Sequence, residues 1–193
     1  MKTINVKDLM VPLDEYATVS EEATLFEAVV ALEKAQETLD RSQFKYLHRA
    51  ILVYDKNNNI VGKVGQLDVL KALEPKYGEM GDQQSISRFG FSKKFLQSLR
   101  EQFSLLDIPF DEACKKAAQV KVNKFMHSPT EGEYVNEDAT LDVAIHRLVM
   151  GHHQSLLVTR GEKIVGIIKL TDVFAEVFQT IKAGEQGDSG RMA

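Results

Sequence analysis

The chain has 193 residues, 44% of them apolar, and a formal net charge of −4. This length can form one compact body or two small domains, and the charge gives no electrostatic reason to expect a nucleic-acid partner. Cys114 is the only cysteine, so an internal disulfide is excluded. The sequence contains no apolar run near the ~20 residues that cross a bilayer, and its first residues do not resemble a signal peptide. We therefore expect a cytoplasmic protein without a membrane partner.

Several short segments of the first half of the sequence are repeated in the second half. Residues 6–10 (VKDLM) return as 122–126 (VNKFM), displaced by 116 positions, and residues 60–62 (IVG) return as 164–166, displaced by 104. A short unit that cannot bury its own apolar face is stabilised by stacking on a copy of itself. The repeat therefore predicts two similar halves that share a core and create a pair of equivalent clefts.

In chain order, the first copy begins with a short extended segment over residues 16–19. Thr24 then opens a helix, because Glu27 is placed to form a capping box and apolar residues recur at helical spacing. A hairpin over residues 51–64 follows, with the turn formers DKNNN between its two strands. A short helix over 66–73 completes the copy.

The second copy repeats this order of elements. An extended segment covers residues 133–135, a helix starts at Thr140, and a hairpin covers residues 155–168. A final helix is predicted from about Leu170 to Ile181.

Two additions interrupt the symmetry. The displacements differ by twelve residues, which places an insertion within 33–47, where the composition favours a longer first helix or an added turn. Residues 74–121 lie between the copies, and their apolar spacing predicts helices rather than a passive linker. The predicted domains are therefore 1–73, with an extended first helix at about 33–47, a helical connector at 74–121, and 122–183. The Gly-rich tail, 184–193, is expected to be disordered.

Two heptads carry the most specific signal. Residues 62–68 read GKVGQLD and residues 166–172 read GIIKLTD, each at the turn from the last strand of a copy into its last helix. The order strand, helix, strand, strand, helix, repeated once and marked by this Gly and Asp, resembles tandem CBS domains, a pair called a Bateman module. The resemblance implies an α/β (α+β) fold of two β-α-β-β-α repeats packed as a pseudo-symmetric pair.

The resemblance also implies an adenosine-containing ligand (AMP, ADP, ATP or S-adenosylmethionine) in the cleft between the repeats. In the family the aspartate accepts hydrogen bonds from ribose hydroxyls, and an ionised carboxylate has two oxygens for two such donors. Asp68 and Asp172 occupy that position. The family's Thr or Ser, which helps to hold phosphate, is replaced by Gly65 and Lys169. Gly65 lacks the donor, whereas Lys169 is a cation that can pair with phosphate.

Basic residues precede each hairpin. His48-Arg49 precedes the first and resembles a pair in the gamma subunit of AMP-activated protein kinase, where such residues face nucleotide phosphates. His152-His153 takes the same place before the second hairpin. The full set of residues that the resemblance implies for ligand binding is Asp172, Lys169, Ile167, Ile168, His152, His153, Tyr134, Val135, Asp68, Val61, His48, Arg49, Thr18 and Val19. No catalytic or metal-ligating residue is assigned.

These assignments have structural alternatives. Either aspartate can cap the helix that follows it, and Lys169 can be a solvated lysine at the end of a strand. His152 and His153 can lie in a solvated loop or hold a metal ion, although no acidic or cysteine partner is close to them in the sequence. The apolar members of the set are also typical of core positions.

The predicted function is a non-catalytic regulatory or sensor module that binds an adenosine-type ligand and alters the conformation or partner interactions of a dimer. No cofactor is required, and the adenine nucleotide or S-adenosylmethionine is the regulatory ligand. The alternative is a degenerate pair that acts as a dimerisation or protein-interaction scaffold without nucleotide, which the two missing hydroxyls and the long connector favour. An enzyme is not expected, because the sequence has no catalytic triad order, metal signature or P-loop. The resemblance implies a homodimer formed through the helices, and a separate regulated protein is the other expected partner.

Overall fold

The computed structural model describes residues 3–38, 46–78, 92–105 and 107–189. In chain order its strands and helices are β1 (Val11–Pro12), β2 (Thr18–Ser20), α1 (Leu25–Glu37), β3 (Ala50–Tyr54), β4 (Ile60–Gly65), α2 (Gln66–Ala72), α3 (Lys93–Phe103), α4 (Phe110–Ala118), β5 (Tyr134–Asn136), α5 (Leu141–Gly151), β6 (Ser155–Arg160), β7 (Lys163–Lys169) and α6 (Leu170–Ser189). The predicted α+β class and both predicted hairpins are confirmed.

The chain forms two compact units. Unit 1 comprises Met1–Ala17, Glu33–His48 and Ser128–Ala193, and unit 2 comprises Thr18–Leu32 and Arg49–His127. Each unit has its own sheet, so each is described by itself.

Unit 1 is built on a four-stranded sheet in the order β1-β7-β6-β5. Strands β6 and β7 are antiparallel, β5 runs parallel to β6, and β1 pairs antiparallel with β7. Helices α5 and α6 contact these strands. The core that they enclose consists of the buried residues Val6, Val135, Ala144, Leu148, Leu156, Val158, Ile168 and Val173.

Unit 2 is built on a three-stranded sheet in the order β2-β3-β4. Strand β2 runs parallel to β3, and β3 and β4 form the antiparallel hairpin. Strand β3 is almost fully buried at Ile51, Leu52 and Val53, which is why it reads as a continuous apolar run. Ala117 of α4 is buried in the same cluster as Leu25 and anchors the connector to this unit.

Each unit takes a segment from the other sequence repeat. In unit 1, the Val6 N–H donates to the Ala139 carbonyl at 2.9 Å, and in unit 2 the Val122 N–H donates to the Ala23 carbonyl at 2.8 Å. The repeated motif that begins at Val6 or Val122 therefore packs on the copy of the repeat to which it does not belong in sequence. The compact units cut across the sequence repeats.

Helix α1 begins at the predicted capping box. The Thr24 N–H donates to Glu27 Oε2 at 2.7 Å, and the Glu27 N–H donates to Thr24 Oγ1 at 3.3 Å. Such a cap contributes about 1 kcal/mol to helix stability. The helix ends at Glu37, residues 46–49 are not helical, and residues 39–45 of the predicted insertion lie outside the described residues.

The connector contains helices α3 and α4. Ser92 caps α3 by accepting a hydrogen bond from the Phe95 N–H at 3.1 Å, and Pro109 stands at the N-cap of α4. Residues 79–91 and 106 of the predicted connector lie outside the described residues.

Helix α6 is longer than the sequence predicts. The pattern places its end near Ile181 and a disordered tail after it, whereas the helix continues to Ser189; residues 190–193 lie outside the described range. The tail contains no proline, and a glycine costs a helix only about 1 kcal/mol relative to alanine, so no strong stop signal is present. Across the described residues, no helix combines the length and the apolar character that a bilayer crossing requires.

Candidate functional site

The first glycine of each heptad permits a close approach of another segment of the same unit. A Cβ atom at Gly166 would lie 2.5 Å from the Val11 carbonyl oxygen, and one at Gly62 would lie 2.5 Å from Met126 Sδ. The glycines therefore allow β1 to pair against β7 in unit 1 and residues 126–127 to pass β4 in unit 2. Each heptad then turns from its strand directly into α2 or α6.

Asp68 lies in the first turn of α2 and is half-buried. Its Oδ2 accepts a hydrogen bond from the Gly65 N–H at 2.9 Å, so the capping alternative is correct for one carboxylate oxygen. Among the residues that the structure describes, none donates a hydrogen bond to Oδ1. Asp68 therefore combines a fixed orientation with one carboxylate oxygen that a ligand donor can use.

Asp172 has a different environment in unit 1. Its Oδ2 lies 3.0 Å from Nζ of Lys169, and the two side chains are only 10% and 6% exposed. At this distance the carboxylate and the ammonium form a buried ion pair. The Lys169 ammonium also donates to the Tyr46 carbonyl at 2.9 Å. Lys169 is therefore buried, and the prediction of a solvated surface lysine is wrong.

Burial and charge act in opposite directions on Asp172. Burial raises the pKa of its carboxyl above the ordinary value, and the attraction of Lys169 lowers that pKa in part. The rise shows that removal from water is the larger effect at this position. The adjacent cation favours the ionised form of this buried carboxylate.

His48 faces inward beside this pair. The residue is 1% exposed and its ring lies 4.3 Å from the Tyr16 ring between centroids; among the described residues, neither ring nitrogen has a hydrogen-bond partner of good geometry. Burial is the larger cause that lowers the pKa of His48 to about 4, repulsion from Lys169 adds to the lowering, and a backbone hydrogen bond at Glu15 opposes it. The imidazole is therefore neutral at pH 7 and is turned away from solvent.

Arg49 and the second histidine pair have other positions. Arg49 is exposed, because successive residues of an extended segment point in opposite directions and His48 points inward. His152 is exposed and adopts the left-handed conformation (φ 52°) that ends α5, and the His153 N–H donates to the Leu148 carbonyl at 3.0 Å. The pair thus forms a helix C-cap. Within the described ranges, no three His, Cys, Asp or Glu side chains are grouped as metal ligands.

The apolar members of the predicted set are mainly core residues. Ile167 and Ile168 are fully buried, and Val135 and Val19 are nearly so. The other members are partly exposed: Thr18 and Tyr134 lie on strands that run parallel to a hairpin strand, and Val61 lies on β4. The Tyr134 carbonyl accepts a hydrogen bond from the Arg147 guanidinium.

Three residues around Lys169 and His48 were not predicted from the sequence. Tyr16 packs on the imidazole, Tyr46 supplies the carbonyl for Lys169, and Gln36 Nε2 donates to the His48 carbonyl at 2.9 Å. Tyr46 and Gln36 lie within residues 33–47, where the sequence places the twelve-residue insertion, and this insertion is the sequence signal that points to the region.

Two clefts in the described part of unit 2 lie on the connector, and Asp68 lines neither of them. One has a volume of about 350 Å³ and is lined by Gln97, Arg100, Glu101, Ser104 and Asp107. The other, of about 200 Å³, lies between the end of α2 and the start of α4, against Glu74 and Ala117. The aspartates stand instead at the strand-to-helix turns, where the heptads place them.

The comparisons with known proteins agree with this architecture. The family model for the CBS domain matches residues 6–75 and 122–179. A comparison with curated protein sequences finds no significant match.

Several solved structures share the fold. The crystal structure of CBSX2 in complex with AMP is 20% identical, with 91% of this chain and 97% of that chain covered and a TM-score of 0.55. The CBS domain of a CBS-domain-containing membrane protein from Sphaerobacter thermophilus is 15% identical, with 90% and 87% covered and a TM-score of 0.57. A protein from Mathanocaldococcus jannaschii is 18% identical, with 95% and 68% covered and a TM-score of 0.53.

The chain belongs to the CBS domain family, because the family model matches two regions that together cover more than half of it. It is a tandem CBS protein, as its repeated heptads predict, and the similar structures share the same fold.

Proposed function

We propose that this protein is a non-catalytic regulatory module that binds an adenosine-containing ligand through the aspartates of its two CBS motifs. The observation that carries the proposal is Asp68, whose carboxylate is oriented by the Gly65 N–H and keeps Oδ1 for a ligand. A ribose diol offers two hydroxyl donors, and charge-assisted hydrogen bonds to a carboxylate are about twice as strong as neutral ones. The exposed Arg49 guanidinium supports binding of the phosphate that an adenine nucleotide also carries.

The ribose role of Asp68 is tested by calorimetric titration with AMP, ATP and S-adenosylmethionine. The variant Asp68→Asn keeps an oxygen for the Gly65 N–H but removes the charge, and we expect about a tenfold or larger loss of affinity. The matched control is Asp142→Asn, in the first turn of α5, which should bind as tightly as the wild type. Equal affinity of Asp68→Asn and the wild type would refute the proposed role.

We further propose that the functional form is a homodimer assembled through exposed apolar helix faces. In unit 1, Phe174, Phe178 and Ile181 recur along α6 and are 60%, 46% and 59% exposed. In unit 2, Phe26 and Leu67 are 62% and 63% exposed. Apolar surface of this kind marks an interaction site in a soluble protein. Sedimentation should show a dimer that Phe174→Glu weakens, whereas a wild-type monomer at all concentrations would contradict the assembly.

The regulatory action requires a ligand-dependent difference between conformations, because a ligand favours the state that it contacts better. We place the module in the cytoplasm, acting on a separate protein. Affinity capture with and without AMP tests this action: a partner whose recovery changes with AMP supports it, and partners recovered equally under both conditions contradict it.

A scaffold without nucleotide binding is the second candidate, and the Lys169–Asp172 pair favours it. An aspartate that is already paired with an internal cation needs no ligand to be stable. A thermal-shift series separates the candidates, since ligand binding raises apparent stability by mass action. Stabilisation by millimolar AMP supports the regulatory module, and no stabilisation by any adenine nucleotide supports the scaffold.

A further inference from the structure

Lys169 connects two parts of unit 1 that are far apart in the sequence. Its Nζ lies 3.0 Å from Asp172 Oδ2 at the start of α6 and donates to the Tyr46 carbonyl at 2.9 Å. Tyr46 precedes the inward-facing His48 by two residues. The lysine therefore holds the end of the segment that buries this imidazole. We call the arrangement of Lys169, Asp172 and the Tyr46 carbonyl the lysine lock.

The members of the lock depend on one another. A buried ammonium that loses its carboxylate partner is strongly disfavoured, because neutral groups do not replace both the lost negative charge and the lost water. If Asp172 takes another partner, the burial of Lys169 beside Tyr46 is therefore disfavoured. His48 holds the segment only weakly by itself, since its contact with Tyr16 is one of packing and its buried ring nitrogens have no hydrogen bond of good geometry among the described residues.

We infer that the lysine lock closes the second CBS motif, and that a ligand diol engages Asp172 only by displacing Lys169 and releasing residues 46–48. This inference rests on the proposed function and adds a route from ligand occupancy to a change in the fold. The route continues from the His48 carbonyl to Gln36 Nε2, 2.9 Å away in the last turn of α1. The two motifs then bind a ligand differently. Asp68 is open to a ligand, whereas Asp172 must give up its ion pair with Lys169 before it can bind one.

The lock is tested first without any ligand. Diethyl pyrocarbonate modifies accessible neutral imidazoles, and peptide mass spectrometry resolves His48 from the exposed His146, which is the internal standard. Lys169→Met should accelerate modification of His48 about tenfold, as expected for losing hydrogen bonds to a charged group. Lys169→Arg should retain most of the protection. Lys163→Met, which removes an exposed lysine from the same strand, should leave the rate unchanged.

A general loss of stability would also expose His48, so a destabilised variant with an intact lock is needed. Gly166→Ala serves this purpose, because it perturbs the β1–β7 contact in the same unit. The two variants are compared under conditions that give them the same free energy of unfolding. If His48 is then modified as fast in Gly166→Ala as in Lys169→Met, the proposed lysine lock is refuted. The lysine lock is also refuted if His48 is modified at the same rate in Lys169→Met and in the wild type.

The ligand step is tested with AMP as the probe. Saturating AMP should accelerate His48 modification in the wild type and have little further effect in Lys169→Met. If calorimetry shows that AMP binds but the His48 rate stays constant, the displacement of Lys169 is refuted. If AMP does not bind, the proposed nucleotide function fails for AMP. The lysine lock is then tested only by the rates of His48 modification measured without ligand.

Discussion

The buried His48 should make the protein sensitive to mild acid. In the unfolded chain a histidine titrates near 6.5, whereas burial beside Lys169 lowers the pKa of His48 to about 4 in the folded protein. Between these two pH values the unfolded state binds a proton that the folded state does not bind. The stability that His48 contributes is therefore complete above pH 6.5 and is lost as the pH falls toward 4.

The size of the loss follows from the shift. One pKa unit corresponds to 1.36 kcal/mol, so titration of His48 from 6.5 to about 4 should lower the free energy of unfolding by about 3 kcal/mol. Asp172 opposes this trend, because its pKa is raised in the folded state and its protonation at low pH favours folding. The net loss should consequently be smaller than His48 alone implies.

Urea unfolding at several pH values between 7.5 and about 4 measures this effect. His48→Phe keeps a ring against Tyr16 but cannot titrate, so its stability should fall less steeply with acid than that of the wild type. The exposed His146→Phe is the matched control and should keep the wild-type slope. Equal pH slopes for His48→Phe and the wild type would show that His48 is not buried and neutral as the structure has it.

Two further predictions test the contacts around the second motif, with Gly65→Ala in the first motif as a comparison. Gly166→Ala should lower the free energy of unfolding by about 2 kcal/mol, because its Cβ would lie 2.5 Å from the Val11 carbonyl oxygen. Gly65→Ala should lower it less, because the nearest neighbour of its Cβ is Asp68 Oδ2 at 3.5 Å. Equal melting temperatures of the two variants would contradict this prediction. Lys169→Met should lower the free energy of unfolding by about 3 kcal/mol at pH 7, because it leaves the buried Asp172 carboxylate unpaired. Part of this stability should be regained at acidic pH, where the carboxylate is protonated. A destabilisation that does not change with pH in urea unfolding would contradict the pairing.

The local structure was largely predictable from the sequence. The Thr24–Glu27 capping box starts α1 as predicted, because a helix cap is set by residues three positions apart. The hairpin at residues 51–64 follows its turn formers for the same reason, since both strands meet across a few residues. Helix α6 was less predictable, because glycine weakens a helix without stopping it.

The ends of the two heptads show where local prediction stops. Asp68 and Asp172 occupy equivalent positions, yet one accepts a hydrogen bond from a backbone N–H and the other faces a buried ammonium. The difference arises because Lys169 has a side chain long enough to reach Asp172 and a carbonyl 123 positions away in the sequence, whereas Gly65 has none. The presence of Lys169 was visible in the sequence, but its partner at Tyr46 was not.

The sequence by itself determined the repeated order of strands and helices, the turns between them and the family to which the chain belongs. These features depend on periodicity and on residues a few positions apart. Only the tertiary structure decided that the motif at Val6 packs against Ala139 and the motif at Val122 against Ala23, an exchange between the two repeats. The physical reason is that both copies of the motif have the same pattern, so either could pack on either repeat. Long-range contacts alone distinguish them.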